Sequence, residues 1–190
     1  MKSKQQKTIQ DNKLEVATLG GGCFWCIEAA FDEIQGVMNV ASGYSGGKIQ
    51  SPSYEQVCTG TTGHAEVVQV TFDSTVVSFR EILEIFFTAH DPKTLNQQGA
   101  DIGTQYRSVI FYHTEKQKKT ANQVIEEFET RKVWDQPIVT QIEAFTMFYK
   151  AEDYHRKYFA RHSEAGYCRV VIAPKIAKLR KKYKGKLKKR

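Results

Sequence analysis

The spacing of apolar residues changes period several times along the chain. Residues 15–20 (EVATLG) read as a short strand that runs into three glycines, Gly20 to Gly22. Apolar positions then recur every three or four residues at Ile27, Ala30, Phe31 and Ile34, one face of a helix. Gly36 interrupts it, and residues 37–44 (VMNVASGY) read as a second strand. Residues 45–63 are rich in glycine, serine and threonine and form a loop long enough to suggest a function. Residues 66–72 (EVVQVTF) are a β-branched strand. Ser78 and Glu81 then form a capping box opening a helix whose apolar face is Phe79, Ile82, Leu83 and Phe86. A second irregular stretch, residues 91–107, leads to a strand at 108–112 (SVIFY). Thr114 and Gln117 cap a further helix that turns Ala121, Val124, Ile125 and Phe128 inward. Beyond it the pattern predicts a strand at 138–145 and an aromatic helix at 148–162 (FYKAEDYHRKYFARH).

To residue 112 the order is strand, helix, strand, strand, helix, strand. That is the split βαβ, ferredoxin-like arrangement (βαββαβ), so the expected class is α+β with additional helices and long loops that carry the site. Composition agrees with a folded domain: 41% of the 190 residues are apolar and only 4 are proline. The formal charge of +7 is localised. Residues 175–190 hold ten of the 28 basic residues and no acid, which leaves 18 basic against 21 acidic residues in the rest. The chain therefore divides into a polar extension (1–13), a folded domain (14–174) and a polybasic tail (175–190). Charge at that density predicts a tail solvated and largely disordered in its distal part, with weak polyanion binding as its one functional reading. No apolar h-region opens the chain and no run is long enough to span a bilayer, so a cytoplasmic protein is expected.

Four cysteines, at 23, 26, 58 and 168, are too few for a disulfide framework and read as redox, catalytic or buried thiols. GGGCFWC is the informative segment. Its glycines turn the backbone out of the strand and leave Cys23 at a helix start, where unpaired N–H groups and the helix dipole favour a thiolate. Cys23 and Cys26 also fit a thioredoxin-like dithiol, and the spacing alone does not choose. His64 and Glu66 match the H-x-E of zinc deaminases, but the CxxC lies upstream and follows Gly22, so that reading fails. Glu66 opens an apolar strand, a setting that raises a carboxyl pKa and suits a proton donor, or else it is a solvated strand-edge residue. GYSGGKI is one residue short of a phosphate-binding loop. Glu152 and His155 give a single Glu-x-x-His where a di-iron site needs two.

Six separated segments carry a resemblance: GGGCFWCIEAAF, GYSGG, YEQVCTGTTGHAEVV, HDPKTLNQQGADIGTQYRS, FYKAEDYH and GYC. Together, from about residue 14 to 175, they resemble the type A peptide methionine sulfoxide reductases. The resemblance implies reduction of the S epimer of methionine sulfoxide, free or in proteins, without a cofactor or metal. It implies Cys23 as nucleophile and Phe24 and Trp25 as the wall for the substrate methyl group. Glu66, Tyr54 and Tyr106 would bind the sulfoxide oxygen, and Asp101 would support the pocket. Cys168 would recycle Cys23 through a Cys23–Cys168 disulfide that thioredoxin reduces, with Cys26 and Cys58 not needed for chemistry. Ser51, Ser53, Gln97, Ala100 and Arg156 depart from the family's common residues, none of them at a proposed catalytic group.

Overall fold

The computed structural model describes residues 13–189, so the expected extension at 1–13 lies outside the described residues except for Lys13. Strands β1 (Leu14–Gly20), β2 (Val37–Ser45) and β3 (Ala65–Asp73) are joined by helix α1 (Phe24–Asp32) and by the one-and-a-half-turn helix α2 (Tyr54–Cys58). Helix α3 (Phe79–Ala89) leads through a two-residue hairpin and a 3₁₀ turn (Thr104–Tyr106) to β4 (Val109–Tyr112). Helix α4 (Glu115–Thr130) precedes β5 (Gln141–Ala144) and β6 (Phe148–Lys150). A single turn α5 (Tyr158–Arg161) and a π-helical turn (Cys168–Ile172) then lead into α6 (Ala173–Lys182).

The six-stranded sheet has the order β5-β4-β1-β3-β2-β6. Its four inner strands are antiparallel in the order 4-1-3-2, the ferredoxin-like core expected from the sequence. β6 extends the sheet beside β2 antiparallel, and β5 joins β4 in parallel. Side chains alternate along β3. Val68, Val70 and Phe72 meet Ile27 and Phe31 of α1 and Ile82 and Phe86 of α3 in the main core. Ala65 and Val67 join Val109 and Phe111 in a smaller cluster covered by Phe145 and Phe148. Glu66 shares the parity of Val68 and so faces the main core beneath α1.

Both caps form as expected. Ser78 Oγ accepts from Glu81 N at 3.3 Å while Glu81 Oε2 accepts from Ser78 N at 2.8 Å, and Thr114 Oγ1 accepts from Gln117 N at 3.2 Å. The expected aromatic helix at 148–162 does not form. Phe148 to Lys150 are instead strand β6, registered against Ser45 to Gly43, and only the 3₁₀ turn Asp153–His155 and α5 are helical. The pairing joins residues far apart in sequence, and their main-chain hydrogen bonds outweigh the local helical spacing.

The basic tail also departs from expectation. Ile176 and Leu179 are buried within the main core, and Tyr183 and Leu187 pack against it. Arg180 Nε donates to Glu33 Oε2 at 2.7 Å, Lys186 pairs with Glu81, and Lys188 Nζ donates to the carbonyl of Asp32 at 2.8 Å. Exposed ion pairs contribute at most about 1 kcal/mol each. Burial of an Ile or Leu side chain contributes about 1.5–3 kcal/mol, so the apolar stripe at 176, 179, 183 and 187 dominates. Leu179→Ala is therefore expected to lower unfolding free energy by about 2–5 kcal/mol in urea titration. An unchanged midpoint would mean that α6 is not docked.

Candidate active site

The site begins where β1 ends. A Cβ on Gly20 would lie 2.9 Å from the carbonyl oxygen of Glu66, and Gly22 has φ +85° with the Gln98 side chain against it. Glycine therefore lets β1, β3 and the 91–107 loop converge at one point. Gly22 N donates to the carbonyl of Tyr106 at 3.2 Å, which ties the turn to the second loop. Cys23 is the N-cap of α1 and its side chain makes no capping hydrogen bond.

Glu66 takes that role from another strand: its Oε2 accepts from Phe24 N, the first N–H of α1, at 3.1 Å. The residue is 1% exposed. Burial pushes its carboxyl up to about 8, with Asp101 and Cys26 adding to the rise and the Phe24 N–H opposing it. At neutral pH the carboxyl is protonated. Cys23 differs from the sequence expectation of a stabilised thiolate. Burial first, then its hydrogen bond to Cys26 and the charge of Glu66, push its thiol well above the usual range, while the Trp25 N–H acts the other way. Cys23 is 8% exposed, and desolvation of its thiol outweighs the helix N-terminus.

Two phenols complete the polar side. Tyr54 begins α2, which Ser53 and Gln56 close with a capping box. Tyr106 ends the 3₁₀ turn. Both are half-buried and both are held well above the ordinary tyrosine range: Tyr54 by burial, then its hydrogen bond to Cys58 and the charge of Glu66, and Tyr106 by burial and then the charge of Glu66. They remain hydrogen-bond donors. Glu152 positions Tyr54: its Oε1 accepts from Tyr54 N and its Oε2 from Tyr44 OH, each at 2.8 Å. Tyr44 is fully buried and stands opposite Glu66 across the β2–β3 pair.

The apolar side is built from Phe24 and Trp25. Trp25 stacks on Tyr158 with ring centroids 3.8 Å apart, and its Nε1 donates to His155 Nδ1 at 3.1 Å. His155 packs edge-on to Phe24 at 5.0 Å and lies 4.5 Å from the Tyr54 ring. Glu152 and His155, which fail as a di-iron motif, thus join the polar and apolar sides. Their roles were visible in the sequence only as part of FYKAEDYH, because the partners lie about 100 residues away. Asp101 Oδ2 accepts from Tyr167 OH at 2.6 Å. Cys168 follows directly, 0% exposed, and burial first, then the charge of Cys26, pushes its thiol up. Cys58 is exposed at the end of α2. Among the described residues no group of three or more His, Cys, Asp or Glu side chains is arranged to hold a metal ion. No described helix is long and apolar enough to cross a membrane.

Comparison with known proteins gives one answer. The sequence model of the family described as peptide methionine sulfoxide reductase matches residues 15–187, which takes the match through α6. Peptide methionine sulfoxide reductase MsrA of Polynucleobacter asymbioticus is 60% identical over 171 residues, covering 90% of each chain. The crystal structure of Mxr1 from Saccharomyces cerevisiae in reduced form superposes with a TM-score of 0.76 at 36% identity, covering 85% of this chain and 94% of Mxr1. Mxr1 in complex with Trx2 matches with a TM-score of 0.54 at 28% identity, covering 80% of this chain and 91% of that one. A family match over nearly all described residues, a close relative and a shared fold lead to the same conclusion: the chain belongs to the peptide methionine sulfoxide reductase family of oxidoreductases.

Proposed function

We propose that this chain reduces the S epimer of methionine sulfoxide, free or within proteins, by attack of Cys23 on the substrate sulfur while Glu66 protonates the oxygen. The supporting observation is a buried thiol and a neutral carboxyl at one helix N-terminus, flanked by un-ionised phenols. A sulfoxide sulfur is electrophilic, but its oxygen leaves poorly unless protonated. As Cys23 bonds to sulfur, Glu66 gives its proton to the oxygen, and Tyr54 and Tyr106 donate hydrogen bonds to it. The substrate S–O bond and the new bond between Cys23 and the substrate sulfur then break, the hydroxyl oxygen passes to Cys23, and methionine leaves. Sulfur is reduced, Cys23 is oxidised to a sulfenic acid, and the proton Cys23 loses restores Glu66.

Phe24 and Trp25 receive the substrate methyl group, and Asp101 supports the pocket through Tyr167. With methyl and oxygen each assigned a place on tetrahedral sulfur, one epimer presents its sulfur to Cys23. Condensation of the sulfenic acid with a thiol then releases water, and a disulfide involving Cys168 is reduced by a dithiol protein of the thioredoxin class. The complex of Mxr1 with Trx2 supports that choice. The setting of the reaction is repair of oxidised proteins in the cytoplasm.

Consumption of the S epimer with the R epimer left intact is the expected result of a chiral assay on resolved methionine sulfoxide; equal consumption of both contradicts the pocket assignment. Cys23→Ser is expected to form no methionine even in a single turnover. Glu66→Ala should lose about 10²–10⁴-fold in kcat, and Glu66→Gln, which keeps a donor, should lose less. Because Glu66 carries its proton below about 8, wild-type activity should fall as pH rises through that value, and Glu66→Gln should lack this limb. Equal losses in both variants with an unchanged pH profile would remove the acid role. With thioredoxin as reductant, Cys168→Ser should release one methionine per chain and stop; continued turnover would show that Cys168 is not required.

A further inference from the structure

Cys26 is three residues beyond Cys23, in the first turn of α1, and its backbone N–H donates to the Cys23 carbonyl at 3.1 Å. The two side chains are hydrogen-bonded to one another. The main-chain and side-chain hydrogen bonds together keep the two residues one turn apart and within reach of a disulfide. The surroundings of Cys26 are not those of a core spacer. It is 3% exposed, yet Lys175 Nζ of α6 lies 3.8 Å from its sulfur and the Tyr167 hydroxyl is beside it. The hydrogen bond from Cys23 first, then Lys175 and Tyr167, hold its thiol down to about 7 against the cost of burial. A half-buried cation next to a thiol favours the form that condenses with a sulfenic acid.

The segment that supplies Lys175 also supplies Cys168. Tyr167, the π-helical turn beginning at Cys168, and α6 follow one another, and a π turn inside a helix is frequently a functional feature. All three cysteines belong to the same buried cluster.

We propose that Cys26 is a relay thiol: it condenses with the Cys23 sulfenic acid and then passes the disulfide to Cys168. This rests on the reaction proposed above and departs from the direct Cys23–Cys168 pairing that the family resemblance implies. In the first step the Cys26 sulfur bonds to the Cys23 sulfur, the Cys23 S–O bond breaks, and hydroxide leaves as water with the Cys26 proton. In the second, the Cys168 sulfur attacks the Cys26 sulfur, the Cys23–Cys26 bond breaks, and Cys23 leaves as a thiolate and takes up the proton from Cys168. Cys23 is again a thiol, and the Cys26–Cys168 disulfide is left for the external dithiol.

The test is a quenched single turnover of the full chain with methionine sulfoxide and no reductant. Methionine release, dimedone labelling of sulfenic acid and disulfide mapping by mass spectrometry are followed together. In Cys168→Ser the expected products are one methionine per chain, a Cys23–Cys26 disulfide and no dimedone adduct. In Cys26→Ser the methionine burst should remain while disulfide formation slows about tenfold or more and a dimedone adduct accumulates on Cys23. The relay is overturned if Cys168→Ser keeps a dimedone-reactive Cys23 beside a free Cys26. It is equally overturned if Cys26→Ser forms Cys23–Cys168 at the wild-type rate. Cys168→Ser leaves both α1 thiols native, so the result does not depend on the folding of Cys26→Ser. Absence of the burst in Cys168→Ser would overturn the proposed reaction and the relay together, whereas a burst with Cys26 left free overturns the relay alone.

Discussion

The hydrogen bond from Phe24 N to Glu66 holds the site together. It crosses from the helix layer to the sheet and lets a strand residue satisfy the first orphan N–H of α1, which Cys23 as N-cap leaves open. A carboxylate at a helix N-terminus would normally ionise more readily. Here the carboxyl is almost fully removed from water, and desolvation prevails, so the group that fixes the helix also stores a proton. In the proposed reaction, placement of the acid Glu66 and placement of the nucleophile Cys23 therefore share one contact.

Around that contact the chain is held by side chains from distant segments. Glu152 links Tyr44 on β2 to the start of α2, and His155 links Trp25 to the same stretch. At the other end of the site, Tyr167 joins Asp101 to the C-terminal segment, and Lys175 brings α6 to Cys26. The basic C-terminal helix thereby becomes part of the architecture that surrounds the thiols. Lys178, Lys181 and Lys182 face outward, while Ile176 and Leu179 close the core.

Much of this was legible in the sequence, and the failures have identifiable physical causes. The order of β1, α1, β2, β3, α3 and β4 followed from apolar spacing, and Ser78 with Glu81 and Thr114 marked helix starts because capping is local chemistry. Cys23, Glu66, Tyr54, Tyr106 and Asp101 came from their motifs, but their convergence depends on loops that meet only in three dimensions. The stretch from Phe148 to His162 was misread because its aromatic spacing resembles a helix, whereas the main chain of Phe148 to Lys150 pairs with β2 more than 100 residues earlier. In the tail, lysine density concealed Ile176, Leu179, Tyr183 and Leu187, whose spacing of three, four and four is helical. The thiolate expected at Cys23 failed because a dipole argument takes no account of burial, and burial is visible only in the folded chain.

The account depends on a carboxyl that keeps its proton inside the resting site. Selective ¹³C labelling of glutamate, with the Glu66 resonance assigned by its loss in Glu66→Gln, allows that proton to be followed directly by NMR titration without substrate. A midpoint near 8 is the predicted result. A midpoint near 4.5, the ordinary value for glutamate, would show a charged Glu66 at neutral pH and contradict the proposed chemistry.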